Sequence, residues 1–267
     1  MSQAIAAATK PSVITDAPFH PSLAVRDLAK ARSWYSDKIG WEPVLEPLGG
    51  VLVYQVGDGN FTLYESDFAG TAKNTVMNYV VRDVRSEVPR LRERGVTFEE
   101  YDFGDFKTVD GIMADPGGGL TAWFKDIDDN IVAILQDQNV GLDGGISGMI
   151  AAADMARAKA WYSDKLGLEP FQEFEGFVMD YKSGDSRFNV YKTEFAGTAK
   201  NTVGVWRLQG IRDEVARLRG RGVVFEEYDF GDEGKTVGGI ISNDEGDQSA
   251  WFKDSEGNIF AITEDRN

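Results

Sequence analysis

The stretch Phe68-Ala-Gly-Thr-Ala-Lys-Asn-Thr-Val76 recurs, letter for letter, at 195–203. The same offset of 127 residues carries Trp34-Tyr-Ser-Asp-Lys38 onto Trp161-Tyr-Ser-Asp-Lys165, and Phe98 through Asp105 onto Phe225 through Asp232. After an insertion near Glu233-Gly234 the offset becomes 128, and Ala122-Trp-Phe-Lys-Asp126 matches Ala250-Trp-Phe-Lys-Asp254. A period of this length is the size of a domain and not of a solenoid unit, so the chain reads as a tandem duplication. The expected layout is a disordered tail over 1–18, a first domain over 19–136, a linker over 137–145 and a second domain over 146–265. The linker contains Gly141, Gly144 and Gly145 and is expected to be flexible.

One template fits both copies. An apolar strand at 21–26 is followed by Asp27, a good helix N-cap. Leu28, Ala31, Trp34 and Tyr35 then recur at helical spacing up to Gly40. Alternating strands follow at 51–56 and 61–64, separated by the Gly57-Asp58-Gly59 turn. The repeated Ala-Gly-Thr-Ala-Lys-Asn segment reads as a loop between half-domains, its identity in both copies suggesting a shared structural task. A strand at 75–81, a helix at 84–94 and strands near 96–98, 111–114, 121–124 and 131–135 complete the copy. Each copy is therefore strand–helix–three strands, twice, an α+β arrangement.

The 267 residues suffice for two domains with cores of their own. No apolar run approaches the ~20 residues that span a bilayer, and residues 1–18 lack the apolar region of a signal peptide. The chain has no cysteine, which excludes disulfides and thiolate chemistry and fits a cytoplasmic protein. A net charge of −16 opposes nucleic-acid binding; it serves solubility first and could favour a cationic ligand. The chain has one histidine, His20.

Four βαβββ units in tandem resemble the vicinal-oxygen-chelate superfamily, which includes glyoxalase I, extradiol dioxygenases and bleomycin-resistance proteins. The resemblance rests on Leu23 through Tyr35 with Ile39-Gly40, on Val81-Arg-Asp-Val84 leading to Leu91-Arg-Glu-Arg-Gly-Val96, and on Phe252-Lys-Asp-Ser-Glu-Gly-Asn-Ile259. It implies paired units curled into half-barrels of mixed sheet with helices outside, two units per domain, and a ligand on the concave face. It also implies metal ligands at defined positions. Those positions fall on His20 and its twin Ser147, on Val76 and Val203, and on Ala133 and Ala261. A catalytic metal needs about three protein ligands, so no metal and no other cofactor is expected.

If His20 faces the cavity, as the resemblance implies, strand alternation sets Ser22 and Ala24 beside it, with Val76, Asn78 and Val80 on the fifth strand and Ile131, Ala133 and Leu135 on the last strand of the first copy. In the second copy it selects Ser147, Met149, Ala151, Val203, Val205 and Arg207, with Ile259, Ala261 and Thr263 on the last strand. Asn78 is set against Arg207, and His20 against Ser147, as the divergent pairs, which predicts one dominant site and not two equal ones. Tyr64, Tyr191, Trp123 and Trp251 could stack a planar or cationic ligand or simply pack the core. The candidate ligand-binding set is therefore His20, Asn78, Trp123, Ser147, Arg207, Trp251, Tyr64 and Tyr191. The favoured reading is a metal-independent small-molecule binder in an intrachain pseudo-dimer, monomeric overall, its ligand an aromatic or cationic metabolite or antibiotic. The alternative is a metal-independent lyase, isomerase or cyclase of secondary metabolism. A metal-dependent glyoxalase or dioxygenase is disfavoured by the missing ligands.

Overall fold

The computed structural model of the chain describes residues 13–46, 50–102, 104, 107–141, 144–174, 176–231 and 234–266. The first copy runs β1 (Phe19–Val25), α1 (Leu28–Trp34), β2 (Pro43–Leu45), β3 (Val51–Val56), β4 (Gly59–Glu65), β5 (Thr75–Val81), α2 (Val84–Glu93), β6 (Thr108–Val109), β7 (Ile112–Ala114), β8 (Leu120–Lys125) and β9 (Ile131–Gln136). The second runs β10 (Gly145–Ala152), α3 (Met155–Trp161), β11 (Pro170–Phe174), β12 (Val178–Ser183), β13 (Ser186–Lys192), β14 (Thr202–Arg207), α4 (Ile211–Gly220), β15 (Ile240–Ser242), β16 (Gln248–Lys253) and β17 (Ile259–Glu264).

Local chemistry explains the helices. The Asp27 carboxylate accepts from the Lys30 amide at 3.0 Å, and Asp154 accepts from Arg157 at 3.0 Å, so both first helices carry a side-chain cap. Each continues into one π-helical turn, Tyr35–Ile39 or Tyr162–Leu166, stopped by Gly40 or Gly167 at positive φ. Tyr35 and Tyr162 enter the core completely, where their hydroxyls donate to Asp126 (2.9 Å) and Asp254 (3.0 Å). The strand expected near Val96-Thr-Phe98 is reduced to a single bridge from Phe98 to Phe124.

The fold is α+β, built on two mixed sheets, one of them a half-barrel. The eight-stranded sheet runs β15-β16-β17-β14-β1-β4-β3-β2 and the nine-stranded sheet β11-β12-β13-β10-β5-β9-β8-β7-β6. Each sheet thus takes one βαβββ unit from each copy, where two units of a single copy were expected to close together. The crossing pairs are antiparallel: β1 with β14, through Phe19↔Trp206, His20↔Val205 and Pro21↔Gly204, and β10 with β5, through Gly145↔Val80, Ser147↔Asn78 and Gly148↔Met77.

Two copies with the same order of elements offer edges of the same backbone geometry, so exchange of partners is cheap. Side-chain size selects the observed pairing. The Phe19 ring lies so close to Gly204 that a Cβ there would stand 2.1 Å from it, and a Cβ on Gly148 would stand 2.4 Å from the same ring. Met77 occupies in the first copy the position of Gly204 in the second, and it faces Gly148. Pairing within a copy would set Phe19 against Met77 and Gly148 against Gly204. One contact would be overpacked and the other left empty.

The two identical loops meet each other. The Lys73 amide donates to Thr198 Oγ1 at 3.3 Å, the Lys200 amide to Thr71 Oγ1 at 3.1 Å, and Thr71 Oγ1 to Asn201 Oδ1 at 3.3 Å. The repeated Phe-Ala-Gly-Thr-Ala-Lys-Asn-Thr-Val segment is thus a contact between the two copies.

Residues 13–18, expected in the disordered tail, are ordered and pack Ile14 and Ala17 into the core. Ile14–Asp16 is a short 3-10 turn; Ile14 and Ala17 are buried, and the Ile14 amide donates to Glu214 Oε1 at 2.9 Å. Apolar burial at Ile14 outweighs the polar composition around it. Residues 1–12 of that tail, and Leu142 and Asp143 of the linker, lie outside the described residues. Elsewhere in the linker, Arg82 Nε donates to the Val140 carbonyl at 2.8 Å, and Gly145 already opens β10. No described helix is long and apolar enough to cross a membrane.

Candidate functional site

Strand register divides the sheet residues into two faces. Phe19, Leu23, Phe61, Leu63 and Trp206 pack among the helices in the core. Their neighbours along the strands occupy the opposite, open face. On the eight-stranded sheet that face contains the row His20–Val205–Ala261–Trp251 and the row Arg207–Thr263–Ser249. Ser22–Thr62–Val53 and Ala24–Tyr64–Val51 extend it on the other side of β1. The nine-stranded sheet presents Ser147–Asn78–Ala133–Trp123, with Met149–Asn189–Asp180 and Ala151–Tyr191–Val178 beside them.

This regroups the expected site residues. His20 and Asn78 were placed in one cavity and Ser147 and Arg207 in the other, because each copy was expected to close on itself. The exchange of partners instead brings His20 together with Arg207 and Trp251, and Asn78 together with Ser147 and Trp123. Register also corrects the divergent pair. Asn78 is level with Ser147 as Val205 is level with His20, so the counterpart of Arg207 is Val80.

The two faces differ in chemistry. On the nine-stranded sheet, Asn78 Nδ2 donates to Ser147 Oγ (3.3 Å) and to Asn189 Oδ1 (3.2 Å), Ser147 Oγ donates to Asn189 Oδ1 (3.1 Å), and Asn189 Nδ2 donates onward to Asp180. Burial raises the Asp180 carboxyl above its ordinary value. On the eight-stranded sheet, Ser22 and Thr62 share a 2.9 Å hydrogen bond and Arg207 Nη1 holds Asp265 at 2.6 Å. Three buried polar atoms there have no partner among the described residues: His20 Nδ1, Arg207 Nε and Thr263 Oγ1. His20 is 7% exposed. Burial, then the Arg207 guanidinium, push its imidazole down to about 4, with Asp185 opposing.

Tyr64 and Tyr191 are committed elsewhere. The Tyr64 hydroxyl accepts from the Thr202 amide at 2.7 Å and donates to the Thr202 carbonyl at 3.3 Å; Tyr191 donates to the Thr75 carbonyl at 3.3 Å. Each hydroxyl bridges to the first residue of β14 or β5, in the other copy. Burial holds both phenols up at about 12. Tyr64→Phe should therefore lower stability by about 1–2 kcal/mol, since the Thr202 amide loses its acceptor. Equilibrium urea unfolding checks this, and an unchanged midpoint would argue against the bridge.

Trp123 and Trp251 lie at the side of each open face. Trp123 meets Tyr101 edge-on at 5.5 Å, while Trp251 meets Tyr228 at 5.7 Å and Phe230 at 5.5 Å. The acidic segments beside them are structural. Glu100 accepts from Thr108 Oγ1 and the Gly111 amide, Glu99 pairs with Lys125, and Glu226 pairs with Lys253. The turns ending in Asn130 and Asn258 are also structural, each tying its last strand to the other sheet: Asn130 Nδ2 donates to the Ala24 carbonyl at 2.9 Å, and Asn258 Nδ2 to the Ala151 carbonyl at 2.8 Å. Buried within them, Asp126 and Asp254 are raised to about 6.

A metal does not fit either face. Beside His20 the register sets Val205 and Ala261, and beside Ser147 it sets Asn78 and Ala133. Among the described residues no three His, Asp or Glu side chains are grouped to hold an ion. One imidazole is too few donors. Two open depressions, of about 570 Å³ beside α1 and about 670 Å³ beside α2, lie on the helix side, and neither is lined by any of the unpartnered atoms.

Asp180 and Asn189 were absent from the sequence-derived set. Alternation along β12 and β13 would have put both on the open face; what hid them was the lack of any charge or imidazole in the copy-one equivalents, Val53 and Thr62.

No protein-family model matches the chain, and no curated protein sequence matches it. Solved structures do. Glyoxalase I from Zea mays superposes with a TM-score of 0.65 at 12% identity, over 92% of this chain and 91% of that one. A candidate dioxygenase from Bacillus subtilis subsp. subtilis str. 168 superposes with a TM-score of 0.62 at 14% identity, over 96% of this chain and 87% of that one. The chain has the two-domain fold of the vicinal-oxygen-chelate superfamily.

Proposed function

We propose that the chain is a metal-independent small-molecule binding protein of the glyoxalase/bleomycin-resistance type, with its principal site on the open face of the eight-stranded sheet. The observation that carries this reading is the exchange of chemistry around His20. The neighbouring positions hold Val205 and Ala261, while unpartnered polar atoms of His20, Arg207 and Thr263 lie on the same face. Apolar walls with a few convergent polar groups suit a small metabolite or antibiotic. Two interleaved copies do in one chain what two subunits of a homodimer would do, so a monomer is the expected working form.

The enzyme reading is weaker on physical grounds. A general base works best with a pKa near the ambient pH. The His20 imidazole is pushed down to about 4, and the Tyr64 and Tyr191 phenols up to about 12. None is tuned for proton transfer near neutrality. Elemental analysis of the dialysed protein should find far less than one transition metal per chain. About one tightly held metal per chain would overturn the reading and bring back the metal-dependent activities.

A further inference from the structure

We propose that the open face of the eight-stranded sheet takes a small planar aromatic monocarboxylate, its carboxylate held by Arg207 Nε and Thr263 Oγ1 beside His20 and its ring against Trp251. This rests on the binding reading above and names the ligand class.

Among the described residues five buried side-chain polar atoms have no partner, and three of them, on His20, Arg207 and Thr263, share this face. Leaving a buried donor unmade costs on the order of 1–3 kcal/mol, so such atoms mark a place completed by something else. They lie on adjacent strands. Arg207 is in register with Thr263, and its amide meets the Pro18 carbonyl two residues from His20, a diagonal spacing that a long side chain spans. Arg207 Nε and Thr263 Oγ1 are hydrogen-bond donors, and Arg207 is permanently charged. The complementary group is an acceptor with negative charge.

Its charge is limited to one. Asp265 already holds Arg207 Nη1 at 2.6 Å, and Asp185 acts on His20 from the β12–β13 turn. A dianion would face both carboxylates with a single guanidinium to offset it. The body of the ligand is set by the next row. Ala261 and Val205 are small and leave the sheet surface low, and Trp251, backed by Tyr228 and Phe230, forms an aromatic wall beside Ala261. Aromatic faces favour a planar ring. The other sheet's open face has one such atom among the described residues, Asn78 Oδ1, and no permanent cation at the matching place: the positions equivalent to His20, Arg207 and Thr263 are Ser147, Val80 and Leu135.

Proton NMR of the full chain tests this, because the single histidine gives unambiguous imidazole signals. Benzoate, benzamide and benzyltrimethylammonium would be titrated separately, up to on the order of 10 mM, the range expected for fragments of this size. Benzoate should shift the His20 and one tryptophan indole resonance saturably, at least about tenfold more tightly than the other two. Thr263→Val and Arg207→Gln should each weaken benzoate by about tenfold, with unchanged far-UV circular dichroism showing that the variants fold. Tighter binding of benzamide or benzyltrimethylammonium at His20 would overturn the carboxylate and leave the binding reading standing. Benzoate binding that ignores both substitutions would overturn the proposed contacts. If none of the three probes perturbs His20 or any tryptophan, both the proposal and the site on this face fall.

Discussion

Gly204→Met should cost on the order of 3 kcal/mol of stability, the upper range for overpacking. Glycine inside a strand ordinarily weakens it, so replacing one would normally help. Here the first atom of any side chain would stand 2.1 Å from the Phe19 ring, which is itself enclosed by Trp206, Phe188 and Phe260. The ring cannot yield without disturbing that cluster. Phe19→Ala alone should cost about 3–5 kcal/mol through lost burial and a cavity. In the double variant the methionine can enter the space the ring vacates. The combined loss should then fall short of the sum by about 1–3 kcal/mol, the signature of directly coupled sites. Urea unfolding of the four proteins checks this. Additive losses, or a neutral Gly204→Met, would show that Phe19 and Gly204 do not select the pairing of β1 with β14.

Acid should destabilise the chain through its one histidine. The His20 imidazole stands at about 4 in the folded chain, against 6.5 when exposed. Between those values the unfolded chain binds a proton that the folded chain refuses. Stability therefore falls as the pH drops from about 6.5 to about 4, by about 3 kcal/mol, and falls no further from this cause below 4. Asp126 and Asp254, raised from 3.8 to about 6, act in the opposite direction: their burial favours the protonated form, so their contribution improves as the pH falls through about 6 to 4. A bare pH profile mixes the two effects. The difference between His20→Asn and the parent chain isolates the histidine, and should move by about 3 kcal/mol in favour of the variant between pH 7 and pH 4. Titration of the imidazole proton signals gives the midpoint directly. A midpoint near 6.5 would mean that His20 is solvated and not part of a dry face.

The duplication, the βαβββ order and the alternation that separates Leu23 from Ser22 were all legible in the amino acids, because repeats, caps and two-residue periodicity are local properties. Alternation also selected Arg207, whereas His20 was placed through the family resemblance and Trp251 stood open between stacking a ligand and packing the core. What the residues could not show was which of them share a face. Copies with the same order of elements present edges of the same backbone geometry, so the pairing of β1 with β14, and of β10 with β5, turns on how Phe19 fits Gly204 and Met77 fits Gly148, residues that lie far apart in the chain. The roles of Tyr64 and Tyr191 were hidden likewise, since a phenol that bridges to a strand of the other copy has the same local pattern as one that stacks a ligand. Ile14 joins the core through an apolar burial that its polar surroundings conceal, and a distant carboxylate, Glu214, accepts its buried amide once the chain has folded. Local pattern determined the elements and their faces. Steric fit between distant side chains, which exists only after folding, decided which elements meet and which polar atoms are left to face a ligand.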